Sequence, residues 1–303
     1  MGVLIVSSLN IDIVTYLERM PEPGETVVGD RFESFPGGKG LNQAVAAARA
    51  GGDVTMVGVL GSDSNSNLLK EVMIKEKIDS DYVRRVPGVC GTAIIEVDNL
   101  GRNRIIVISG ANSELKANDL NPEILTKISS KKVLLSQLEC PYTELVSIFN
   151  VAKSNDFFTI LNPAPARKLE KEFIQLIDLI VPNQFEAEFL TGIKVTDGNS
   201  AVAAGKELIS QGAKSVLITM GEEGSVLVTN EGSELFNTFK VKVADTTAAG
   251  DAFCGALAVA LSEGLDLKSA IRFASATGAL SVQFEGATTS MPTRQEIEKL
   301  LKK

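Results

Sequence analysis

Apolar and polar positions follow two different rhythms along this chain. Continuous apolar runs at residues 3–9, 54–60, 132–138, 157–161, 178–181 and 215–219 predict buried strands of the parallel-sheet kind. Between them, apolar residues recur at helical spacing. An alanine-rich segment over about 41–50 ends at Gly51-Gly52, and a more polar one covers about 66–77. From Asn118 onward strand and helix alternate strictly. A hairpin near 225–243 precedes helices at about 251–263, 266–284 and 293–301. This alternation predicts an α/β fold: a mostly parallel central sheet flanked by helices on both faces.

Two regions depart from that rhythm. Residues 13–17 and 27–35 read as extended, separated by the turn Pro21-Glu22-Pro23-Gly24. Residues 91–97 and 103–109 alternate apolar and polar around Asn99-Leu100-Gly101-Arg102, which predicts a hairpin. Together, about 13–35 and 91–109 predict a small β-sheet lid. No linker, internal repeat or low-complexity stretch divides the chain, so residues 1–303 are expected to form a single α/β domain carrying that lid.

Composition removes several classes of function. Histidine is absent from the 303 residues, so no Ser-His-Asp or Cys-His pair and no His metal ligand can exist. Proton transfer falls to carboxylate, Lys, Tyr or Cys. The net charge of −8, without a basic run, argues against nucleic acid or an anionic membrane as partner. Cys90, Cys140 and Cys254 are odd in number and lack CxxC spacing, which fits a reducing cytoplasm. Val3-Leu4-Ile5-Val6 is short and has no basic leader, so it is expected to be a strand rather than a signal peptide. No segment is long enough to span a membrane.

In an open α/β sheet, ligands bind beyond the carboxyl ends of the strands. Unusual polar residues collect there. Asn10 and Asp12 follow the first predicted strand, Glu139 the one at 132–138 and Asn162 the one at 157–161. Asn183 and Glu186 follow 178–181, and Thr219 and Gly221 follow 215–219. Turn chemistry explains any one of them. Carboxylates and carboxamides dominate the set, and those groups bind sugar hydroxyls and hydrated metal.

Two Gly-rich stretches carry the chemistry. In Asp245-Thr246-Thr247-Ala248-Ala249-Gly250-Asp251 a loop of small residues runs into a helix. Backbone N–H groups of Ala248, Ala249 and Gly250 at a helix N-terminus suit an anion, usually phosphate. Asp251 beside them is a poor phosphate ligand and a good acceptor for the proton of an attacking hydroxyl. An ordinary helix start with an acidic first turn would look the same. Gly37-Gly38-Lys39-Gly40 permits close backbone approach and offers one cation, with Asn42 a step into the next helix. It is not a Walker A loop, because Gly40 follows Lys39 and Glu33 stands where the first glycine belongs. No GxGxxG follows the first strand, which excludes the dinucleotide fingerprint.

Taken together, Phe35-Pro36-Gly37-Gly38-Lys39-Gly40-Leu41-Asn42-Gln43-Ala44 and Asp245–Phe253 resemble the paired signatures of the PfkB-type carbohydrate kinases, and the likeness covers nearly the whole chain. Asn10-Ile11-Asp12, Pro23-Gly24-Glu25-Thr26, Gln137-Leu138-Glu139, Asn162-Pro163-Ala164-Pro165-Ala166 and Pro182-Asn183-Gln184-Phe185-Glu186 stand in the order of the family's ribose-phosphorylating members. The resemblance implies ATP-dependent phosphorylation of D-ribose at O5. Its rivals are a deoxyribose, fructose or nucleoside kinase of the same family, or a non-catalytic sugar-binding protein on this scaffold. By resemblance, Asp251 is the base, and Ala248, Ala249 and Gly250 form the anion hole. Asn10, Asp12, Gly38, Lys39, Asn42, Glu139 and Asp251 would hold the sugar. Asn183, Glu186, Thr219, Gly221, Gly224 and Gly250 would lie along the nucleotide. Glu186 would order Mg²⁺ through water. A monovalent cation, K⁺, would sit at Asp245, Thr247, Ser281, Phe284, Gly286 and Ser290, with Phe284 serving only through its carbonyl. The resemblance also implies a homodimer formed through the lid.

Overall fold

The computed structural model describes residues 2–128 and 132–302. In chain order the strands are β1 (Gly2–Val6), β2 (Asn10–Leu17), β3 (Arg31–Gly37), β4 (Val54–Leu60), β5 (Val83–Arg85), β6 (Gly91–Asp98), β7 (Asn103–Ile108), β8 (Lys132–Ser136), β9 (Phe158–Leu161), β10 (Leu179–Ile180), β11 (Ser215–Thr219), β12 (Ser225–Thr229) and β13 (Gly232–Phe236). The α-helices are α1 (Lys39–Arg49), α2 (Ser64–Lys75), α3 (Pro122–Lys127), α4 (Tyr142–Ser154), α5 (Lys171–Ile174), α6 (Gln184–Thr191), α7 (Gly198–Ser210), α8 (Ala249–Ser262), α9 (Leu267–Ser281) and α10 (Arg294–Leu301).

Nine strands form one sheet in the order β13-β12-β11-β10-β9-β8-β1-β4-β5. Pairing is parallel from β11 through to β5, and antiparallel among β11, β12 and β13. The side-chain period of two sends β1 into two different cores. Val3 and Ile5 join the cluster built on α1, α8 and α9, while Leu4 and Val6 join the one built on α4 and α7. Both faces are therefore dry, which is why these strands read as unbroken apolar runs.

Helix α8 packs into the first of these layers against α1. Gly255 makes that approach possible: a Cβ there would stand 2.5 Å from the Gln43 carbonyl and 2.8 Å from the Ala46 Cβ. Thus the two helices that begin at the two Gly-rich stretches lie side by side.

The second sheet has the order β3-β2-β6-β7. Its inner pair, β2 and β6, is parallel, and the outer pairs are antiparallel. Only Ser7, Ser8 and Leu9 separate β1 of the large sheet from β2 of the small one. Asn10 and Asp12 follow the first strand as expected, but within β2, a strand that begins at Asn10 rather than at residue 13. Ser7 and Ser8 are the sole break between the apolar residues of β1 and Leu9, and neither Gly nor Pro marks the change of sheet. Residues 27–30, expected to be extended with 31–35, precede β3 outside any strand. The three-residue edge strand β5 was not predicted, because Val83-Arg84-Arg85 is too short and too polar to show a period. Among the described residues, no helix is long and apolar enough to cross a membrane, and all three cysteines are free and buried.

Candidate active site

Asp251 lies in the first turn of α8 and is only 6% exposed. The residue that begins the helix, Ala248, takes a left-handed conformation at φ 57°, where a small side chain costs least. Within the loop the Ala249 N–H donates to the Thr246 carbonyl at 3.2 Å. That alters the expected anion hole. Ala249 spends its N–H inside the chain, while the N–H groups of Ala248, Gly250 and Asp251 have no acceptor among the described residues. A Cβ on Gly250 would meet nothing within 4 Å, so the space before these amides is free.

The Asp251 carboxylate is held from behind. Asn42 Nδ2 donates to one oxygen at 3.0 Å and Gln43 Nε2 to the other at 2.9 Å. Asn42 Oδ1 is buried without a partner, which leaves an acceptor ready for a ligand hydroxyl. Gln43, part of the first Gly-rich stretch, had been given no role from sequence. Its α1 neighbour Lys39 donates its backbone N–H to Glu139 at 3.1 Å, and the Ser8 hydroxyl also donates to that carboxylate.

Asn10 is fixed by a residue no motif announces. Asn112 Nδ2 donates to Asn10 Oδ1 at 2.7 Å, and Asn112 also bonds the Leu9 backbone in both directions. Glycines surround this corner for steric reasons. A Cβ on Gly37 would sit 2.1 Å from Asp12 Oδ2, and one on Gly91 would sit 2.0 Å from Asn10 Oδ1. Gly38 has φ +85° and abuts the Asn10 backbone.

Charge is concentrated here. Burial, then the neighbouring Glu139 and Asp251 carboxylates, push the Asp12 carboxyl up to about 7, against the pull of Lys39. Burial disfavours the Lys39 ammonium, but Asp251, Glu139 and Glu186 outweigh it and hold its pKa above the ordinary lysine value. Burial raises Glu186, partly offset by the Asn183 N–H. One lysine thus stands among four carboxylates, an arrangement expected where a further cation or transferable proton belongs.

Three cavities connect through shared residues. A chamber of about 990 Å³ is bounded by Gly221, Gly224, Phe239, Gly250 and Phe253. One of about 170 Å³ is bounded by Lys39, Asn183, Glu186, Gly250 and Asp251. A third of about 790 Å³ opens between the small sheet (Ile105, Val107) and the body (Lys39, Glu139, Tyr142). Thr219, Thr246 and Gly250 border the first two, and Lys39 and Glu186 border the last two. Gly221 and Gly224 have φ of 59° and 90°, and a Cβ on Gly224 would lie 2.0 Å from the Phe236 carbonyl.

Asn183 caps α6 by accepting from the Glu186 N–H, and Glu186 returns to the Asn183 N–H at 2.9 Å. No group of three or more His, Cys, Asp or Glu side chains is placed to hold a metal among the described residues. A divalent ion would therefore fit only with water and ligand phosphates completing its shell, with Glu186 in the outer shell. That is the usual habit of Mg²⁺. The Asp245 loop is a set of hard oxygen donors. Asp245 accepts from Thr247 (N–H 2.9 Å, hydroxyl 2.7 Å) and from the Gly286 N–H at 3.0 Å. Burial raises its pKa, but those donors prevail and keep it low. The Ser281 and Ser290 hydroxyls donate to the Gly278 and Ala287 carbonyls, which leaves their oxygens as donors to a cation. The Phe284 side chain is exposed. The donor chemistry fits an alkali cation.

A helix-head anion site, an adjacent carboxylate and a sugar-type polar corner beneath a lid sheet define a kinase of small hydroxylated substrates. The family model for pfkB family carbohydrate kinases matches residues 2–294, and the chain belongs to that family. It is 41% identical over 294 residues to the ribokinase of Haemophilus influenzae, covering 96% of this chain and 95% of that one. Its structure is similar to that of Thermotoga maritima ribokinase, with TM-score 0.89, 38% identity and 100% and 99% of the two chains covered. It is also similar to Arabidopsis thaliana ribokinase complexed with ribose and ATP, with TM-score 0.93, 31% identity and the same coverage.

Proposed function

We propose that this chain transfers the γ-phosphoryl group of ATP to O5 of D-ribose, giving ribose 5-phosphate and ADP. The observation that carries this reading is the position of Asp251, which borders the small chamber joining a nucleotide-sized cavity to the lid cleft. ATP occupies the larger chamber, with its terminal phosphate before the Gly250 and Asp251 amides. Ribose lies against Asn10, Asp12, Gly38, Asn42 and Glu139. Asp251 takes the proton from the 5-hydroxyl as the oxygen attacks phosphorus, and Lys39 faces the developing charge. Lid residues exclude water, the competing acceptor. Mg²⁺ beyond Glu186 would neutralise phosphate charge, and K⁺ at the Asp245 loop would fix the conformation that ends at Gly250.

An ADP-release assay against ribose, 2-deoxyribose, fructose and nucleosides tests the reading. We expect ribose to be preferred. A clear preference for another sugar overturns the substrate, and ribose binding without ADP formation from any sugar overturns the enzyme.

The same reading includes a homodimer formed through the small sheet, in the cytoplasm. Phe32 (70% exposed) and Ile106 (58% exposed) leave apolar surface bare, and β3 and β7 are free edges. A monomer seldom tolerates both.

A further inference from the structure

We infer that Gln43 is a positioning residue for the base, and that a buried chain of amides running back to β1 sets the orientation of Asp251. This rests on the kinase reading above. Gln43 is fully buried, borders none of the three cavities and cannot touch substrate. Its Nε2 donates to Asp251 Oδ1 at 2.9 Å and lies 3.2 Å from Asn162 Oδ1. Asn162 in turn donates to the Val181 carbonyl at 3.0 Å. Gln43 Oε1 accepts from Gln137 Nε2, and Gln137 Oε1 accepts from the Ser7 hydroxyl. Every partner in this relay is fixed by a strand end of the large sheet: Ser7 follows β1, Gln137 follows β8 and Asn162 follows β9.

The relay has a direction. Because Gln43 Oε1 is occupied by a donor, its amide can present only N–H to Asp251. Two N–H donors, one on each oxygen, hold the carboxylate from both sides. Asn42 supplies the other N–H, but its Oδ1 has no partner and it is assigned to the sugar in the proposed function. Gln43 is the constant one. An amide held this rigidly fixes the plane of the carboxylate, and small errors in that plane are costly for proton transfer in line with phosphoryl transfer.

The test is Gln43→Met, which keeps the volume and removes the donor, made in the wild-type chain and in Asp251→Asn. We expect kcat to fall about 10- to 100-fold, with the ribose KM within about threefold. In the Asp251→Asn background the same substitution should change kcat less than about threefold, because the group it positions is gone. An unchanged kcat, or an equal loss in both backgrounds, overturns the role. Gln137→Met, which unhooks Gln43 without touching Asp251, decides by the same criteria if Gln43→Met does not fold. A wild-type chain inactive with every sugar would instead overturn the kinase reading on which this depends.

Discussion

Asp12 provides the sharpest test of how the sugar corner works. Its carboxyl is pushed up to about 7 by burial and by Glu139 and Asp251, with only Lys39 opposing. A midpoint there means that about one side chain in ten is ionised at pH 6 and about nine in ten at pH 8. If the ionised form accepts a hydrogen bond from ribose, the ribose KM should fall about tenfold from pH 6 to pH 8, while kcat at saturating ribose changes much less. Initial rates of ADP release at saturating ATP, with ribose varied at each pH, give both quantities. Asp12→Asn should show a high KM that no longer depends on pH. A flat KM profile in the wild type, or the same slope in Asp12→Asn, refutes the assignment. Stability moves the other way. Between the ordinary carboxyl value of 3.8 and about 7 the folded chain binds more protons than the unfolded chain. Stability therefore decreases as pH rises through that window. Without ligand, Asp12→Asn should be more stable than wild type above pH 7, by up to ~4 kcal/mol. A thermal melt at pH 8 reads the difference.

Asp251→Asn should lower kcat by about 10²- to 10⁴-fold with little change in ribose affinity, as measured by calorimetry alongside ADP release; unchanged turnover rules it out as the base. Turnover should be faster in K⁺ than in Na⁺ at equal ionic strength, and equal rates would remove the cation from the Asp245 loop. Gly255→Ala should destabilise the chain by about 1–3 kcal/mol, because its methyl would press on the Gln43 carbonyl and Ala46. A melting temperature equal to wild type would contradict the close packing of α1 on α8. Ile106→Asp should convert a dimer into a monomer in light scattering, and a wild-type chain already monomeric would discard the lid interface.

The parallel sheet could be read from sequence because strands dry on both faces leave unbroken apolar runs, and β4 begins and ends where its run does. The lid could be read because its strands interrupt the β-then-α order. What stayed hidden was long-range. Asn112 reaches Asn10 across 102 positions, and Gln43 reaches Asp251 across 208. Neither distance leaves a local pattern. The step from β1 into the lid was hidden for the opposite reason, since buried Leu9 and Ile11 resume the apolar character directly after Ser7 and Ser8, with no Gly or Pro between the two strands. Ala249 shows a third kind of limit. Its smallness suggested an open amide, but a turn back to Thr246 uses that N–H, and only backbone geometry decides this.

Because β2 carries Asn10 and Asp12, the flap and the proposed grip on the pentose are the same piece of polypeptide, tethered to the body by a three-residue strap. On the proposed reading, a sugar held by Asn10 and Asp12 would pull the flap home, and an empty seat would give it nothing to close upon. Nucleotide waiting alone would then stay wet and unaligned, so the acceptor itself would guard the fuel against idle consumption. ADP formed in the absence of any sugar is the leak that measures this guard.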